Sequence, residues 1–331
     1  MRVAINGLGR IGRNILKIAL ENNIDVVAVN DLCDSKTITH LLKYDSIYGR
    51  YSKKIEYGKD FIKIDNKKIK LLSESNPSKL PWKELKVDIV VESTGRFRGK
   101  EDAMQHIKNG AKKVILSAPG KNIDITVVLG VNQKELKKEH RIISMASCTT
   151  NCLAPIAMIL NDNFGIEKGF MTTVHGYTND QRLHDSPHSD LRRARAAALN
   201  IIPTTTGATQ SVIEAIPELK GKLNGVAMRV PVACGSIVDF VCVLNKKATK
   251  EQINSILKKY SNGEMKGILE YTEDEIVSSD VIRNPNSSIV DGLSTQVIGN
   301  MVKILSWYDN EYGYSTRMVD LLKLINQKKL F

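Results

Sequence analysis

The stretch Asn6-Gly7-Leu8-Gly9-Arg10-Ile11-Gly12-Arg13 separates the β-branched run Val3-Ala4-Ile5 from a helical pattern spanning Ile11 to Leu20. It carries G-x-G-x-x-G at a strand-to-helix turn. Gly7 permits the tight turn, Gly9 lets the backbone approach a pyrophosphate, and Gly12 allows helix to pack on strand. The N-terminus of the helix that opens at Arg10 and Ile11 offers backbone N–H groups and a positive dipole end to phosphates. About 20 residues further on, Asp31 closes a second strand, where an acid is expected to accept hydrogen bonds from ribose hydroxyls. A Gly-rich turn and a capping aspartate are the plainer readings of these residues. The combined context favours dinucleotide binding over both.

Outward from this motif, strands and helices alternate. Asp25 to Val29 reads as a strand, Ser35 to Leu42 as a helix, and Lys100 to Lys108 as another helix. Further strands read at Val87 to Val91, Lys113 to Leu116, Ile125 to Leu129 and Ile142-Ile143. This alternation predicts βαβ units in a parallel, doubly wound sheet. Short strands between Lys/Asp/Asn turns make Ser52 to Leu72 an antiparallel excursion. Past residue 150 the pattern changes. A helix over Asn151 to Asn161 contains Pro155, where a kink is expected. Strands then read at Gly169 to Val174, Val226 to Pro231, Ile237 to Leu244 and Met301 to Trp307, with helices at Ala208 to Ile216, Thr249 to Tyr260 and Ser315 to Gln327. The expected fold class is α/β: a Rossmann dinucleotide-binding domain plus an α+β catalytic domain with a mostly antiparallel sheet. The expected boundaries are residues 1–148 for the first, completed by a C-terminal helix over 313–331, and 149–312 for the second.

Composition narrows the function classes. The chain has 331 residues, 42% hydrophobic and 25% charged, which excludes disordered, collagenous and mini-protein classes. No stretch approaches the roughly 18–20 apolar residues of a membrane helix. The N-terminus reads as a strand rather than a secretory signal, so a cytoplasmic location is expected. Five cysteines, Cys33, Cys148, Cys152, Cys234 and Cys242, are too irregularly placed for a disulfide framework and fit a reducing compartment. The net charge of +12 comes from scattered pairs such as Lys53-Lys54 and Lys137-Lys138, interleaved with acids. Without an aromatic-rich basic stripe, a nucleic-acid partner is disfavoured. The positive field would still draw in anionic substrates.

A chemical signal lies at Ser147-Cys148-Thr149-Thr150-Asn151-Cys152, between a strand and a helix. A thiol at a helix N-terminus gains thiolate character, so Cys148 is the candidate nucleophile. Cys152, one turn inward, reads as a small buried residue. A metal pair is a poor alternative without a second Cys/His cluster, and no metal is expected. His175 ends Phe170-Met171-Thr172-Thr173-Val174 and opens a polar loop. A structural, hydrogen-bonded role for it is about as well supported as a catalytic one. Spacing alone does not pair it with Cys148.

These stretches occur in a telling order with Asp190-Leu191-Arg192-Arg193-Ala194-Arg195, Ile202-Pro203-Thr204-Thr205-Thr206-Gly207, Met228-Arg229-Val230-Pro231 and Trp307-Tyr308-Asp309-Asn310-Glu311. Together they resemble the phosphorylating glyceraldehyde-3-phosphate dehydrogenase family, from the first strand to the last helix. The resemblance implies NAD as cofactor, glyceraldehyde 3-phosphate and inorganic phosphate as reactants, a role in glycolysis or gluconeogenesis, and a homotetramer. It implies that Cys148 attacks the aldehyde and forms a thioester, with His175 as general base. It places the substrate phosphate at Thr178 and Arg229, and the attacking phosphate at Ser147, Thr149, Arg193, Thr206 and Gly207. It assigns Asn310 to the nicotinamide carboxamide, Tyr314 to the ring's vicinity, and Ser117 to the cofactor stretch. The duller readings are a solvated or subunit-contact charge run for Arg192 to Arg195 and a capping tract for Thr204 to Thr206.

Three departures stand out. Met145 replaces a common Asn, Gly176 replaces Ser or Ala after the histidine, and Val232-Ala233-Cys234-Gly235-Ser236 differs from the usual segment. None removes a reacting group. Two rival readings are an erythrose-4-phosphate dehydrogenase, which the Pro285 to Gly292 stretch brings to mind, and a non-catalytic NAD-binding regulator.

Overall fold

The N-terminal runs of small and β-branched residues form strands that are buried on both faces. Val3, Ala4, Ile5, Ile89, Val90, Val91, Val114 and Ile115 are all fully buried. Strands of this kind need cover on both sides, which a parallel sheet flanked by helices provides. The computed structural model describes all 331 residues and divides into two compact units. The first comprises Met1–Val127, Lys134–Ala146 and Ser315–Phe331; the second comprises Val128–Gln133 and Ser147–Tyr314. The second unit thus takes up Val128–Gln133, a segment counted with the first on sequence grounds.

The first unit runs β1 (Arg2–Asn6), α1 (Arg10–Glu21), β2 (Asp25–Asn30), α2 (Ser35–Lys43), a short hairpin of β3 (Tyr44–Asp45) and β4 (Gly49–Arg50), then β5 (Ile55–Gly58), β6 (Phe61–Ile64) and β7 (Lys67–Leu72). It continues through β8 (Ile89–Glu92), α3 (Lys100–Lys108), β9 (Lys113–Leu116), β10 (Ile125–Thr126) and β11 (Ile142–Ser144). Its sheet has the order β10-β11-β9-β8-β1-β2-β7-β6-β5. Every pair from β10 to β7 is parallel, while β6 and β5 are antiparallel additions. The expected strand over Ile125 to Leu129 is cut to two residues. Val127 and Val128 stay buried, but the N–H of Val128 donates to Asn132 Oδ1 at 2.9 Å and the chain turns at Gly130, φ +87°. Apolar character there serves packing, although Val127 N still donates to Ser144 O at 2.8 Å.

The second unit runs α4 (Cys148–Phe164), β12 (Ile166–Gly176), β13 (Ile202–Thr204), α5 (Ala208–Ala215), β14 (Leu223–Val230), β15 (Ser236–Leu244), α6 (Lys250–Asn262), β16 (Leu269–Thr272), β17 (Ser288–Ile298) and β18 (Met301–Tyr308). Its seven strands follow the order β13-β14-β12-β15-β18-β17-β16, antiparallel except for β14 with β12 and β17 with β16. Pro155 lies within α4, which runs on to Phe164. Helix α4 packs against β12, β15, β17 and β18. The last helix, α7 (Tyr312–Gln327), begins in the second unit, and its residues from Ser315 belong to the first. No helix is long and apolar enough to cross a membrane.

Candidate active site

In the first unit the Gly-rich turn lies between β1 and α1. The three glycines are not equivalent. Gly7 has φ +93°, and a Cβ there would lie 2.8 Å from the N atom of Thr94. A Cβ on Gly12 would lie 1.9 Å from Gly7 O. Those two positions are closed by the fold itself. Gly9, by contrast, faces open space, with nothing within 4 Å of its Cβ position. It is also the N-cap of α1 and offers no side-chain acceptor to the first turn. A helix N-terminus without a side-chain cap, beside a glycine with open space at its Cβ position, fits a pyrophosphate. Arg10 and Ile11 supply the first N–H groups of this helix, and the Arg10 guanidinium is engaged by Asp45 Oδ2 at 2.9 Å.

Asp31 follows β2 immediately rather than ending it. Its carboxylate accepts hydrogen bonds from Leu8 N at 2.7 Å and Cys33 N at 3.0 Å, so it also fastens the Gly-rich loop. Gly7, Gly9, Asp31, Leu32, Thr94 and Phe97 are among the residues lining a cavity of about 220 Å³. A carboxylate on that wall suits ribose hydroxyls and repels a 2′-phosphate. Ser117 follows β9, where its N–H donates to Glu92 O at 2.9 Å.

In the second unit the chemistry gathers at the start of α4. Ser147 is the N-cap, its Oγ accepting from Thr150 N at 3.1 Å, and Cys148 is the first helical residue. The preceding Ala146 has φ +56°, a left-handed conformation that turns the chain sharply into the helix. Cys148 remains partly exposed, whereas Cys152 is fully buried. Strand β12 delivers His175 to the thiol. Its alternation buries Met171, Thr173 and His175, and the parallel register sets His175 beside Arg229 of β14.

Cys148 Sγ lies 3.4 Å from His175 Nε2. His175 Nδ1 is 2.7 Å from Gly176 O, and Arg229 Nη1 approaches both, at 2.6 Å and 3.1 Å respectively. Donation from Nδ1 to Gly176 O and acceptance from Arg229 exclude one another. We assign the proton to Nδ1, which leaves Nε2 as the acceptor facing the thiol; Arg229 Nη1 then donates to Gly176 O rather than to Nδ1. Burial raises the Cys148 pKa, opposed by the Arg229 charge and the Thr149 N–H. Burial and the same arginine depress the imidazolium form of His175. The expected thiolate character from the helix terminus is therefore outweighed by desolvation in the resting site. Both shifts favour a thiol donating to a neutral imidazole over an ion pair.

Around this pair, the phosphate-ligand candidates divide into two groups. Thr150 Oγ1 donates to Ala208 O at 3.3 Å, which sets the N-terminus of α5 beside that of α4. Ser147, Thr149, Thr206 and Gly207 therefore cluster at two adjoining helix N-termini, a favourable seat for an anion. Gly207 caps α5 without a side-chain bond, and Thr206 Oγ1 accepts from Ala208 N at 3.1 Å. Arg193 is held by Asp180 at 2.5 Å, Thr204 Oγ1 at 2.9 Å and Thr205 O at 3.2 Å. Thr178 N donates to Gln181 Oε1 at 3.2 Å.

Asn310 is buried, and its Oδ1 accepts from Ser236 Oγ at 2.8 Å and Gly235 N at 3.2 Å. Ser236 Oγ in turn accepts from Gly176 N at 3.1 Å, so the residue after the histidine is tied to Asn310. Tyr314 is buried too, and its phenol pKa is pushed well up. Tyr308 is a participant that sequence reasoning missed. Its hydroxyl bonds Thr149 Oγ1 at 2.9 Å and Thr173 Oγ1 at 2.8 Å, and its ring meets His175 edge-on at 5.9 Å. The strand read over Met301 to Trp307 stops one residue short of it; the available signal is that an aromatic hydroxyl carried inward at a strand end needs a partner. Of the three departures, two prove to be neighbours. A Cβ at Gly176 would sit 2.9 Å from Val232 O. Met145 is fully buried.

The chain also matches known proteins. Residues 1–100 match the family model for the glyceraldehyde 3-phosphate dehydrogenase NAD binding domain, and residues 147–310 match the model for its C-terminal domain. Glyceraldehyde-3-phosphate dehydrogenase of Borreliella burgdorferi is 59% identical over 329 residues, covering 97% of this chain and 98% of the relative. The enzyme of Geobacillus stearothermophilus is 57% identical over 333 residues, covering 100% and 99%, and that of Streptomyces coelicolor 56% identical over 333 residues, covering 99% of each. With both domain models matched and full-length identity above half, the chain belongs to the glyceraldehyde-3-phosphate dehydrogenase family of NAD-dependent oxidoreductases.

Proposed function

We propose that this enzyme oxidises glyceraldehyde 3-phosphate and phosphorylates it to 1,3-bisphosphoglycerate, with Cys148 as nucleophile. The single observation carrying this reading is the 3.4 Å approach of Cys148 Sγ to His175 Nε2 beside the Arg229 guanidinium. His175 Nε2 takes the thiol proton as Sγ adds to the aldehyde carbon and passes it to the former carbonyl oxygen, giving a thiohemiacetal and a neutral imidazole. NAD, when bound, supplies the hydride acceptor that makes the oxidation to a thioester feasible. The imidazole then accepts the hemiacetal hydroxyl proton. Inorganic phosphate attacks the thioester carbon, and the Cys148 thiolate leaves as the acyl phosphate departs.

Arg229 and Thr178 suit the substrate's phosphate, because a guanidinium fork matches phosphate oxygens. Ser147, Thr149, Arg193, Thr206 and Gly207 suit the attacking phosphate, where hydroxyls and two helix N-termini converge. Asn310 would hold the nicotinamide carboxamide, with Tyr314 near the ring. Gly7, Gly9, Arg10, Ile11, Gly12, Asp31 and Ser117 would serve the remainder of NAD. The relatives' shared name favours the triose over the tetrose phosphate. A cytoplasmic homotetramer is part of this reading. Leu183, Leu191 and Leu199 are 76%, 82% and 80% exposed on the loop that carries Arg193, and such an apolar set suits burial against another subunit.

Initial rates with triose and tetrose phosphates, with and without inorganic phosphate, test the assignment. Oxidation of the triose phosphate should require inorganic phosphate for sustained turnover, and Cys148→Ser should nearly abolish it while NAD still binds. Substantial turnover by the serine variant would overturn the covalent route.

A further inference from the structure

Beneath the nucleotide cavity of the first unit lies a buried polar chain that touches none of the reacting groups. Trp82 and His106 are fully buried, and Glu92, Asn6 and Asn30 are 3%, 1% and 4% exposed. A carboxylate so deeply buried is costly unless fully hydrogen-bonded. Glu92 meets that requirement. Its Oε1 accepts from both the N–H (2.8 Å) and the hydroxyl of Thr94. Its Oε2 accepts from Asn6 Nδ2 at 2.6 Å and lies 3.1 Å from His106 Nε2.

The histidine's tautomer follows from its other neighbour. Trp82 Nε1 lies 2.9 Å from His106 Nδ1. An indole N–H can only donate, so Nδ1 is an acceptor and the proton sits on Nε2, directed at Glu92. The chain continues outward from Asn6. Asn6 Oδ1 accepts from Asn30 Nδ2 at 2.7 Å, and Asn30 Oδ1 accepts from Glu74 N at 2.9 Å.

Asn6, Asn30, Glu74 and Thr94 all line the cavity; Glu92, His106 and Trp82 do not. One buried carboxylate therefore sets the orientation of cavity walls contributed by β1, β2, and the segments after β7 and β8. The position of Thr94 also matters to the Gly-rich turn, since the Thr94 amide packs directly on Gly7. We propose that Glu92 and His106 are positioning residues for cofactor affinity, holding the nucleotide cavity in its binding-competent shape from behind. This rests on the reading that the cavity receives NAD.

The histidine suggests a clean pair of variants. In His106→Gln the amide offers an oxygen to the Trp82 N–H and an NH₂ to Glu92, reproducing both bonds. In His106→Met both are lost, Glu92 is short of a donor, and Asn6 and Thr94 are free to shift. Calorimetric titration with NAD should give His106→Met a dissociation constant raised roughly tenfold, with His106→Gln inside about twofold of wild type. KM for NAD should rise in parallel, while kcat at saturating NAD and KM for the aldehyde stay unchanged. Should the methionine variant fail to fold, Glu92→Gln gives the same readout, because its NH₂ would confront the donors of Asn6 and His106. Unchanged NAD affinity in folded His106→Met or Glu92→Gln, whatever happens to their melting temperatures, would reduce the chain to a structural element and refute the proposal. Wild-type protein giving no binding signal with NAD would instead refute the reading of the cavity.

Discussion

Replacing Gly9 with alanine separates the architecture of the Gly-rich turn from its binding role. The backbone at Gly9, φ −64° and ψ −165°, is open to any L residue, and no protein atom lies within 4 Å of the new methyl. Alanine is a poorer N-cap than glycine, a penalty of about 0.5–1 kcal/mol. Restricting the unfolded chain returns about 0.4–1 kcal/mol. The two nearly cancel, so the melting temperature should move by no more than about 3 °C. The ligand meets a different situation. A methyl over the start of α1 displaces a pyrophosphate from its backbone N–H donors. Losing two charge-assisted hydrogen bonds, at about 1.5 kcal/mol each as a lower figure, predicts roughly a hundredfold weaker NAD binding. Gly12→Ala should behave in the opposite manner. Its Cβ would fall 1.9 Å from Gly7 O, so the turn must be rebuilt and stability should drop by about 3 kcal/mol or more. Differential scanning calorimetry and NAD titration on both variants give the comparison. Wild-type NAD affinity in Gly9→Ala would mean that the open space is not the phosphate seat.

Replacing His175 with asparagine removes the acceptor 3.4 Å from Cys148 Sγ and leaves the thiol with its unfavourable desolvation, so alkylation by iodoacetamide should begin at higher pH than in wild type. An unshifted profile would refute the pairing. For Asp31→Ala, kcat/KM should fall with NAD and the preference over NADP should narrow, with some loss of loop order because Leu8 N loses its acceptor; equal wild-type efficiency with both cofactors would overturn the role of Asp31.

The nucleotide-binding half is legible in the sequence because its signals are local. A Gly-rich turn, the strands flanking it and an acid after β2 all lie within one βαβ unit, where periodicity and spacing carry the geometry. The second half is harder to read for physical reasons. Strand β13 contains Pro203, tolerated because β13 pairs only with β14 at the sheet edge, where a missing N–H costs no ladder bond. Strand β17 carries Gly292 and an irregular register between Asp291 and Gln296, which hides its alternation. The site suffers the same limitation. Cys148 stands out through its helix terminus, but the proximity of His175 depends on the length of β12 and the return of the sheet to the start of α4. Nothing in the residues between them encodes that distance. Arg229 likewise reaches His175 through strand register, and Tyr308 reaches Thr149 from a strand far along the chain.

The close approach of Val232 O to Gly176 has a consequence for any side chain placed there. With alanine or serine at 176 the Cβ would lie 2.9 Å from that carbonyl oxygen, so either the backbone at 232 or the strand end that carries His175 must shift. Glycine lets both keep their present paths, and the cost of a side chain at 176 would fall on the orientation of the general base.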